Sequence, residues 1–354
     1  MTVTQKEGFS STMKNIAVLD FGAAILKIVI VDPSNPEEPL LFERIYLPIR
    51  TKREELEGVL KTLLRSYADY NIRKFILTFR NSFLSSAKET LEFVIDSVTK
   101  FIRPINVIFY SIDGEFVNLE TALKYPEKVI ATGWKALGEG IWKLIKQNVL
   151  IVDFSTRTTS FIPVREGRII SKSNSDHDRM KNNELLYYGV LETNAAFVQP
   201  KFEYGGELYN LPSEYRALTA DIFLITEDIQ TPDYIIETPD KKAKFKEDAL
   251  SRLRDMLCIL DESFDEFELI KIAHLFKTRL LEEINQNIRR KLFENNLRKI
   301  VLSGIGSNIL YQYLKSKDEH DDLIQATDII RTAEINPPYC IAYIYATKKM
   351  MANV

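Results

Sequence analysis

Three short segments of the chain carry residue types that bind phosphate. The first contains Asp20 and Gly22, the second begins at Asp153, and the third contains Gly304 and Gly306. Small residues let the backbone come close to a ligand, and free N–H groups there form an anion-binding nest. An aspartate at the end of a strand holds Mg²⁺ against phosphate oxygens. Each segment alone is typical of a plain turn, so the prediction of phosphate binding depends on all three together.

Side chains around the first two segments add hydroxyls and cations to this prediction. The residues that follow Phe154 in the second segment are Ser155, Thr156, Arg157, Thr158 and Thr159. Arg157 has two interpretations: a direct partner of phosphate that replaces the charge of a metal, or a solvated loop arginine. Lys27 also has two, a cation beside the first segment or an ordinary edge-strand lysine. Both pairs of interpretations stay open on the sequence alone.

Apolar runs and helical spacing predict the elements that position these segments. Two β-like runs, residues 16–19 and 26–31, flank the first segment and predict a hairpin. The same order of strand, aspartate-containing turn and strand returns at 149–172, which predicts an internal repeat. Apolar residues recur at four-residue steps over 265–296 and predict a long core-facing helix. Strands that alternate with helices indicate an α/β fold.

The composition is that of an ordinary globular chain and excludes several classes of function. The chain has 354 residues, with 47 Lys and Arg against 50 Asp and Glu, and its formal net charge is −3. This balance gives no reason to expect nucleic acid as a partner. The two cysteines exclude a disulfide scaffold and a Cys-rich zinc site, and the three histidines, far apart in sequence, argue against a dedicated zinc site. Cys258 has apolar neighbours and is predicted to lie in the core.

The N-terminal segment, residues 1–13, is polar and has no apolar signal region. It is predicted to be a flexible tail. The apolar runs near it are too short to span a bilayer. The sequence therefore predicts a cytoplasmic protein that does not interact with membranes.

Two hairpin segments and a late Gly-x-Gly segment, in this order, resemble the superfamily of actin, hexokinase and the heat-shock chaperone ATPases. The resemblance implies an α/β, two-lobed actin-like (ribonuclease H-like) fold with a cleft between the lobes. It implies that the first two loops grip phosphates and that the third lies under a nucleoside. Lobe I would comprise 14–135 with the C-terminal helix 336–354, and lobe II would comprise 136–335 with a loop-rich insertion at about 200–245.

A further series of segments resembles the archaeal hydantoinase/oxoprolinase-related family. The matching segments are Ala131-Thr132-Gly133-Trp134, the loop 153–159, Ser175-Asp176 with Arg179-Met180, 184–189 with 192–194, and Glu214 with Thr219-Ala220-Asp221. That family includes the methanofuran-biosynthesis enzyme that joins an aminomethylfuran diphosphate to γ-glutamyltyramine. The resemblance implies a small-molecule transferase in which a phenol oxygen displaces diphosphate.

The resemblance also implies roles for individual residues. Asp20 and Asp153 would hold Mg²⁺, and Asp176 would join them as a catalytic residue. Phosphate would be bound by Gly22, Lys27, Ser155, Thr156, Arg157, Thr158 and Thr159. The substrate or a nucleoside would be bound by Arg179, Glu184, Gly304, Gly306 and Ser307, with Ser307 also the N-cap of the helix that follows. The expected partner is a small-molecule phosphate or diphosphate, with ATP as an alternative. The sequence leaves open whether the chain forms a homo-oligomer.

The chain departs from the family pattern at the phosphate segments themselves. Residues 25–26 are Ile-Leu where the family has Asn-Thr, Ser155 replaces a glycine, and Ser160 replaces an aspartate. Arg80 stands where the family has threonine, and a Gly-Glu pair is lost at 81–82. Three functions therefore stay open: the diphosphate-displacing transferase, an ATP-dependent hydantoinase/oxoprolinase-like or kinase-like enzyme, and a binding protein without catalysis.

Overall fold

The computed structural model describes residues 14–22, 24–80, 84–171, 173–260, 264–330 and 335–352. The predicted N-terminal tail, residues 1–13, and the lost Gly-Glu pair at 81–82 lie outside the described residues. The chain divides into two compact units. Unit 1 is Met1–Gly140 with Ile330–Val354, and unit 2 is Ile141–Ile329.

The regular elements alternate between strands and helices through most of the chain. The strands are β1 Asn15–Phe21, β2 Ile25–Val31, β3 Leu41–Tyr46, β4 Ile72–Phe79, β5 Val107–Tyr110, β6 Phe116–Asn118, β7 Val149–Phe154, β8 Thr159–Arg165, β9 Arg168–Ile169, β10 Leu185–Leu186, β11 Lys201–Tyr204, β12 Glu207–Asn210, β13 Ile300–Ser303 and β14 Leu323–Gln325. The helices are α1 Glu55–Ser66, α2 Ala87–Thr99, α3 Leu119–Lys124, α4 Gly133–Ile145, α5 Asp176–Lys181, α6 Ala195–Val198, α7 Thr219–Ile225, α8 Lys246–Met256, α9 Glu266–Asn295, α10 Ser307–Lys317, α11 Ala326–Ile329 and α12 Pro337–Ala352.

Unit 1 is built on a six-stranded sheet in the order β3-β2-β1-β4-β5-β6. The central strand β1 pairs with β2 in antiparallel fashion and with β4 in parallel fashion. Successive side chains of a strand point to opposite faces. Leu19 and Phe21 of β1 pack into a core with Leu56 of α1 and Leu91 of α2. Asp20 therefore lies on the other face, where α12 packs against β1 and β2.

Unit 2 repeats this arrangement with different elements. Its sheet has the order β10-β8-β7-β13-β14, with β9 paired to β8. The central strand β7 again has an antiparallel partner, β8, on one side and a parallel partner, β13, on the other. The long helix α9 packs against β7 and β8. The shared sheet order confirms the predicted α/β, ribonuclease H-like fold.

Two local expectations, for Cys258 and for Ser307, are revised by the structure. Cys258 is exposed and not in the core, because α8 ends at Met256 and the chain turns at Cys258 with φ 57°. The N-cap of α10 is Gly306, and Ser307 is the first helical residue. Within 200–245, β11 and β12 form a hairpin. All seven residues of α7 in the same region are buried, since α7 packs against α8 and α9.

Candidate phosphate and substrate site

The second loop is a tight four-residue turn between β7 and β8. The Ser155 N–H donates to the Thr158 carbonyl at 2.9 Å, which closes the turn from Ser155 to Thr158. Ser155 is not among the residues with positive φ. Serine in place of the family's glycine therefore costs no backbone strain here. The turn between β7 and β8 therefore forms with serine at this position.

Backbone hydrogen bonds hold the loop against the segment 189–192. The N–H groups of Val190 and Leu191 donate at 2.9 Å to the carbonyls of Ser155 and Thr156. Gly189 lies so close to the loop that a Cβ there would stand 2.3–2.5 Å from the backbone of Arg157. Only glycine fits at this position. The sequence contained this signal, because Gly189 ends one of the segments that match the family, but its role was not predicted.

Some hydroxyls of the second loop bond to the protein itself, and others lie where a phosphate could reach them. Thr159 is buried, and its Oγ1 donates to the Tyr188 carbonyl at 2.7 Å. The hydroxyl of Thr159, predicted to bind phosphate, instead bonds β8 to the backbone at Tyr188. Thr156 and Thr158 are half-buried at the turn, and so they are the hydroxyls best placed to reach a phosphate.

Arg157 lies at the tip of this loop and forms an ion pair. Its Nε is 2.6 Å from Oε2 of Glu192, and Glu192 is also bonded to the loop through its own N–H, which donates to the Thr156 carbonyl. The guanidinium is half-buried. Arg157 is therefore held in position and is not simply solvated. Glu192 lies in a segment that matches the family, 192–194, but it is not among the predicted site residues.

The third loop packs directly on the second. Ser303 of β13 pairs with Asp153 of β7, and the Gly306 N–H donates to the Phe154 carbonyl at 2.9 Å. A Cβ at Gly306 would lie 2.2 Å from the ring of Phe154, and one at Gly304 would lie 2.4 Å from the Phe154 carbonyl. Gly304 also has φ +87°. Both glycines are required by close packing between two predicted site segments.

Arg179 connects most of the remaining predicted residues of unit 2. It is only 2% exposed, and its guanidinium lies 3.8 Å from Asp176 and donates to the Glu184 carbonyl at 3.1 Å. Burial lowers the pKa of Arg179 to about 10, while the charges of Asp176, Glu184 and Asp153 oppose this shift. Burial also raises the pKa of Asp176, against the effect of Arg179. The structure thus brings Asp153, Asp176 and Glu184 near Arg179, although these residues are up to 31 positions apart in sequence.

The register of the sheet explains how these residues meet. Asp153 pairs with Ser160 of β8, and Ser160 pairs with Leu185 of β10, so the three lie in one row. Glu184, next to Leu185, is buried and accepts a hydrogen bond from Ser171 at 2.5 Å. Ser160, which the family resemblance implies replaces an aspartate, is thus an uncharged neighbour of Asp153.

The first loop, in unit 1, has a different electrostatic character. Gly22 closes the hairpin, with its N–H donating to the Ile25 carbonyl at 3.0 Å. Asp20 is 2% exposed and lies opposite Lys27, which is 5% exposed. The Nε of Arg80 is 3.4 Å from Oδ2 of Asp20. Arg80 was noted in the sequence only as a departure from the family, and its contact with Asp20 was not predicted.

The residues present fit Mg²⁺ in one loop and not in the other. In the ranges that the structure describes, no group of three or more His, Cys, Asp or Glu side chains is arranged as a metal site. Around Arg179, the negative charges of Asp176, Glu184 and Asp153 act on one guanidinium, which favours an added cation. At the first loop, one carboxylate faces Lys27 and Arg80, which disfavours it. Phosphate oxygens would have to complete the ligand set beside Asp153.

Comparison with known proteins connects this site to a family. Residues 79–325 match the family described as Hydantoinase/oxoprolinase. The chain is 34% identical over 293 residues to the (4-{4-[2-(gamma-L-glutamylamino)ethyl]phenoxymethyl}furan-2-yl)methanamine synthase of Methanocaldococcus jannaschii, covering 82% of this chain and 86% of that protein. It is 35% identical over 166 residues to the enzyme of the same name from Methanococcus vannielii, covering 47% and 74%.

Solved structures are matched over almost their whole length at low identity. The activator of the 2-hydroxyisocaproyl-CoA dehydratase from Clostridium difficile is 12% identical, with a TM-score of 0.47 and coverage of 96% of this chain and 97% of that chain. The ROK hexokinase from Thermus thermophilus is also 12% identical, with a TM-score of 0.42 and coverage of 95% and 99%. No helix among the described residues has the length and apolar character needed to cross a membrane. On the sequence matches, the chain belongs to the hydantoinase/oxoprolinase family.

Proposed function

We propose that this protein is a transferase that forms an aryl ether between a phenol and an aminomethylfuran. The phenol oxygen of γ-glutamyltyramine attacks the furan-bound methylene carbon of an aminomethylfuran diphosphate. The new O–CH₂ bond replaces the CH₂–O bond to diphosphate, diphosphate leaves, and the phenol proton is released. The observation that carries this proposal is the 34% identity to the M. jannaschii synthase over 82% of the chain.

The geometry of the second loop supports the departure of diphosphate. As the CH₂–O bond breaks, negative charge builds on the leaving group and has to be met by fixed donors. Thr156, Thr158 and the guanidinium of Arg157 are half-buried at one turn. The bonds to the segment 189–192 hold this turn in place before any ligand binds. Such a fixed set of donors needs little reorganisation during the reaction.

Mg²⁺ is part of the proposal for unit 2. Asp153 would hold the ion together with phosphate oxygens, in a site whose negative charge Asp176 and Glu184 increase. The ion would neutralise charge on the leaving diphosphate. The buried guanidinium of Arg179 lies 3.8 Å from Asp176 and would offset part of this negative charge. In this proposal, Arg179 and Glu184 set the charge around Asp153.

A second candidate is an ATP-dependent reaction of the hydantoinase/oxoprolinase type. The match of residues 79–325 to that family favours it. The resemblance also implies that the third loop, with Gly304 and Gly306, lies under a nucleoside, and this loop packs on the second loop at Phe154. The two candidates differ in one requirement, since only the second consumes a nucleotide.

The proposal is tested by mass-spectrometric detection of the ether product. The purified chain is incubated with aminomethylfuran diphosphate, γ-glutamyltyramine and Mg²⁺, with and without ATP. We expect product without nucleotide, and a loss of about 100-fold or more in kcat/KM for Asp153→Asn. Asp328→Asn, an exposed aspartate of α11, is the matched control and stays within about twofold of the wild type. Product that forms only with ATP, or an unaffected Asp153→Asn, contradicts the proposal.

A further inference from the structure

Two polar side chains of α9, Asn287 and Lys291, are buried on a helix face that is otherwise mostly apolar. Each is only 5% exposed, and most other buried residues of α9 are apolar. They lie four positions apart, so they project from the same face of the helix. An amide or an ammonium group is costly to bury unless it forms hydrogen bonds. The partners of these two groups therefore show what they hold in place.

The chain turns sharply at the end of α5, directly before Glu184. Asn183 has a φ of 53°, the Glu184 N–H donates to the Arg179 carbonyl at 2.7 Å, and the Asn183 N–H donates to the Met180 carbonyl at 3.1 Å. These bonds form a Schellman motif, with Asn183 in the left-handed position. Carbonyls at the end of a helix have no N–H partner within the helix and need donors from elsewhere.

Three successive carbonyls of this turn each accept a hydrogen bond from a buried side chain. The pairs are Lys291 to Asn182 at 2.5 Å, Asn287 to Asn183 at 2.8 Å and Arg179 to Glu184 at 3.1 Å. The first two donors come from α9 and the third comes from α5 itself. The α9 donors are 109 and 104 positions away from their acceptors. The turn 182–184 is therefore tied to a distant helix through two side chains.

The same turn is bonded to the strand that lies beside Asp153. The Glu184 carbonyl also accepts the Phe161 N–H at 2.9 Å, and Phe161 follows Ser160, which pairs with Asp153. α9 itself packs against β7 and β8. A displacement of the turn would therefore move Glu184 and Arg179 relative to Asp153.

The ion pair of Lys291 with Glu294 does not account for the burial of the ammonium group. Glu294 lies three positions along the same helix, 2.7 Å from the Lys291 Nζ, and its side chain is about half exposed. An ion pair of this kind on a helix surface contributes little to stability and forms without burial. The bond to the Asn182 carbonyl is the contact that requires Lys291 to lie inside the protein.

We propose that Asn287 and Lys291 are positioning residues, which fix the turn 182–184 and thereby hold Arg179 and Glu184 in place beside Asp153. The reaction served is the diphosphate displacement, so the inference rests on the proposed function. Neither α9 residue contacts the reacting atoms. Both act through the backbone of the turn. A small displacement of groups around a reacting centre is enough to slow the chemical step strongly.

The first test uses Asp176 as a reporter of the position of Arg179. The guanidinium lies 3.8 Å from Asp176 and lowers the pKa of its carboxyl against the effect of burial. Carbon-13 NMR of aspartate carboxyls in the full chain follows this titration, with Asp176→Asn to identify the signal. We expect Asn287→Leu, which changes no charge, and Lys291→Met to raise the pKa of Asp176 further.

Matched variants separate loss of the bond from other effects. Lys271→Met is the control, since Lys271 is an exposed lysine of the same helix, and it should leave the Asp176 titration unchanged. Lys291→Arg keeps a cationic donor and should titrate close to the wild type. An Asp176 carboxyl that titrates as in the wild type, in Asn287→Leu and Lys291→Met proteins that are folded by circular dichroism, overturns the proposal.

The second test separates positioning from a purely structural role by kinetics with both substrates and Mg²⁺. We expect Asn287→Leu and Lys291→Met to lower kcat about 10- to 100-fold with KM within about twofold of the wild type. Lys291→Arg should recover most of this loss, and Lys271→Met should show none. A full kcat in the two folded variants overturns the proposal. A wild type that forms no ether refutes the proposed function alone, because the Asp176 titration needs no substrate and still decides whether α9 positions Arg179.

Discussion

At the scale of single residues, Gly189 has the clearest steric role in the site. A Cβ at this position would lie 2.3–2.5 Å from the backbone of Arg157, which is closer than side chains approach backbone atoms. The loop or the segment that holds it would have to move. Since the loop carries the predicted phosphate contacts, a change at Gly189 is transmitted directly to them.

We predict that Gly189→Ala lowers the free energy of unfolding by about 1–3 kcal/mol, as overpacking does in closely packed interiors. It should also reduce kcat/KM more than a general loss of stability explains. Gly58→Ala is the control, because Gly58 lies in α1 with nothing within 4 Å of an added Cβ. That variant should gain about 0.5–1 kcal/mol. Urea unfolding measures both, and a Gly189→Ala protein as stable as the wild type contradicts the steric account.

Asp176 gives a prediction about pH at the same scale. Burial raises the pKa of its carboxyl above the ordinary value, so the folded protein binds this proton more tightly than the unfolded chain does. The stability that Asp176 contributes therefore falls as the pH rises through its folded pKa. Asp176→Asn does not titrate. The free energy of unfolding of the variant minus that of the wild type should thus decrease as the pH falls from 7 to 4.

Urea unfolding of both proteins across this pH range measures that difference. A difference that increases toward pH 4 would mean that Arg179 dominates over burial at Asp176. Asp178→Asn, on the exposed side of α5, is a suitable comparison for effects of general charge.

At the scale of elements, a buried ion pair between α7 and α8 also contacts the segment 228–245. Arg252 of α8 and Asp221 of α7 are both buried and lie 2.8 Å apart. Arg252 also donates to the Ala243 carbonyl, and Tyr234 donates to Asp221 at 3.1 Å. The residues between the helices are therefore part of the packed structure of unit 2.

We predict that Arg252→Met destabilises unit 2 by about 3–5 kcal/mol, because it leaves the buried carboxylate of Asp221 without its cation. Adding Asp221→Asn should recover part of this loss, since the unpaired charge is then removed. A double mutant cycle by urea unfolding measures the coupling. If the double variant is less stable than Arg252→Met, the pair is not the main source of the loss.

Elements with local sequence signals could be predicted, and contacts between distant residues could not. The hairpins around Asp20 and Asp153 could be predicted, because apolar runs interrupted by short polar turns are local signals. The helical spacing of Asp176 and Arg179 was equally local. The burial of Arg179 was not predictable, because it depends on the register that places β10 beside β8. The contact of Arg80 with Asp20 joins residues 60 positions apart and left no local pattern.

Cys258 shows the opposite case, in which a local signal was misleading. Its apolar neighbours suggested a core position. The helix ends before Cys258, however, and Arg216 binds the Asp255 carbonyl at 2.8 Å beside the thiol. An apolar stretch at a helix end can thus contribute its last residues to the surface.

At the scale of the whole molecule, the chain consists of two units with the same sheet order and different charge at the corresponding loops. Unit 1 presents cations around Asp20, and unit 2 presents carboxylates around Arg179. The same arrangement of strands therefore carries loops with different charged side chains. The difference comes from a few side chains, Lys27, Arg44 and Arg80 in one unit and Asp153, Asp176 and Glu184 in the other.

We predict that diphosphate with Mg²⁺ stabilises the folded protein. A ligand at about 100 times its dissociation constant adds about 2.7 kcal/mol to the free energy of unfolding. Thermal unfolding should show this as a shift that is reduced in Asp153→Asn and unchanged in Asp328→Asn. A shift of equal size in Asp153→Asn would place the ligand away from the second loop.

The central claim is that this chain forms an ether by displacing diphosphate and consumes no nucleotide. Phosphorus NMR of a single reaction mixture tests it most directly. With aminomethylfuran diphosphate, γ-glutamyltyramine and Mg²⁺, we predict that inorganic diphosphate accumulates in a one-to-one ratio with the ether. ATP added to the same mixture should remain intact. Conversion of ATP to ADP and phosphate in step with product, or ether formation without release of diphosphate, would contradict the account.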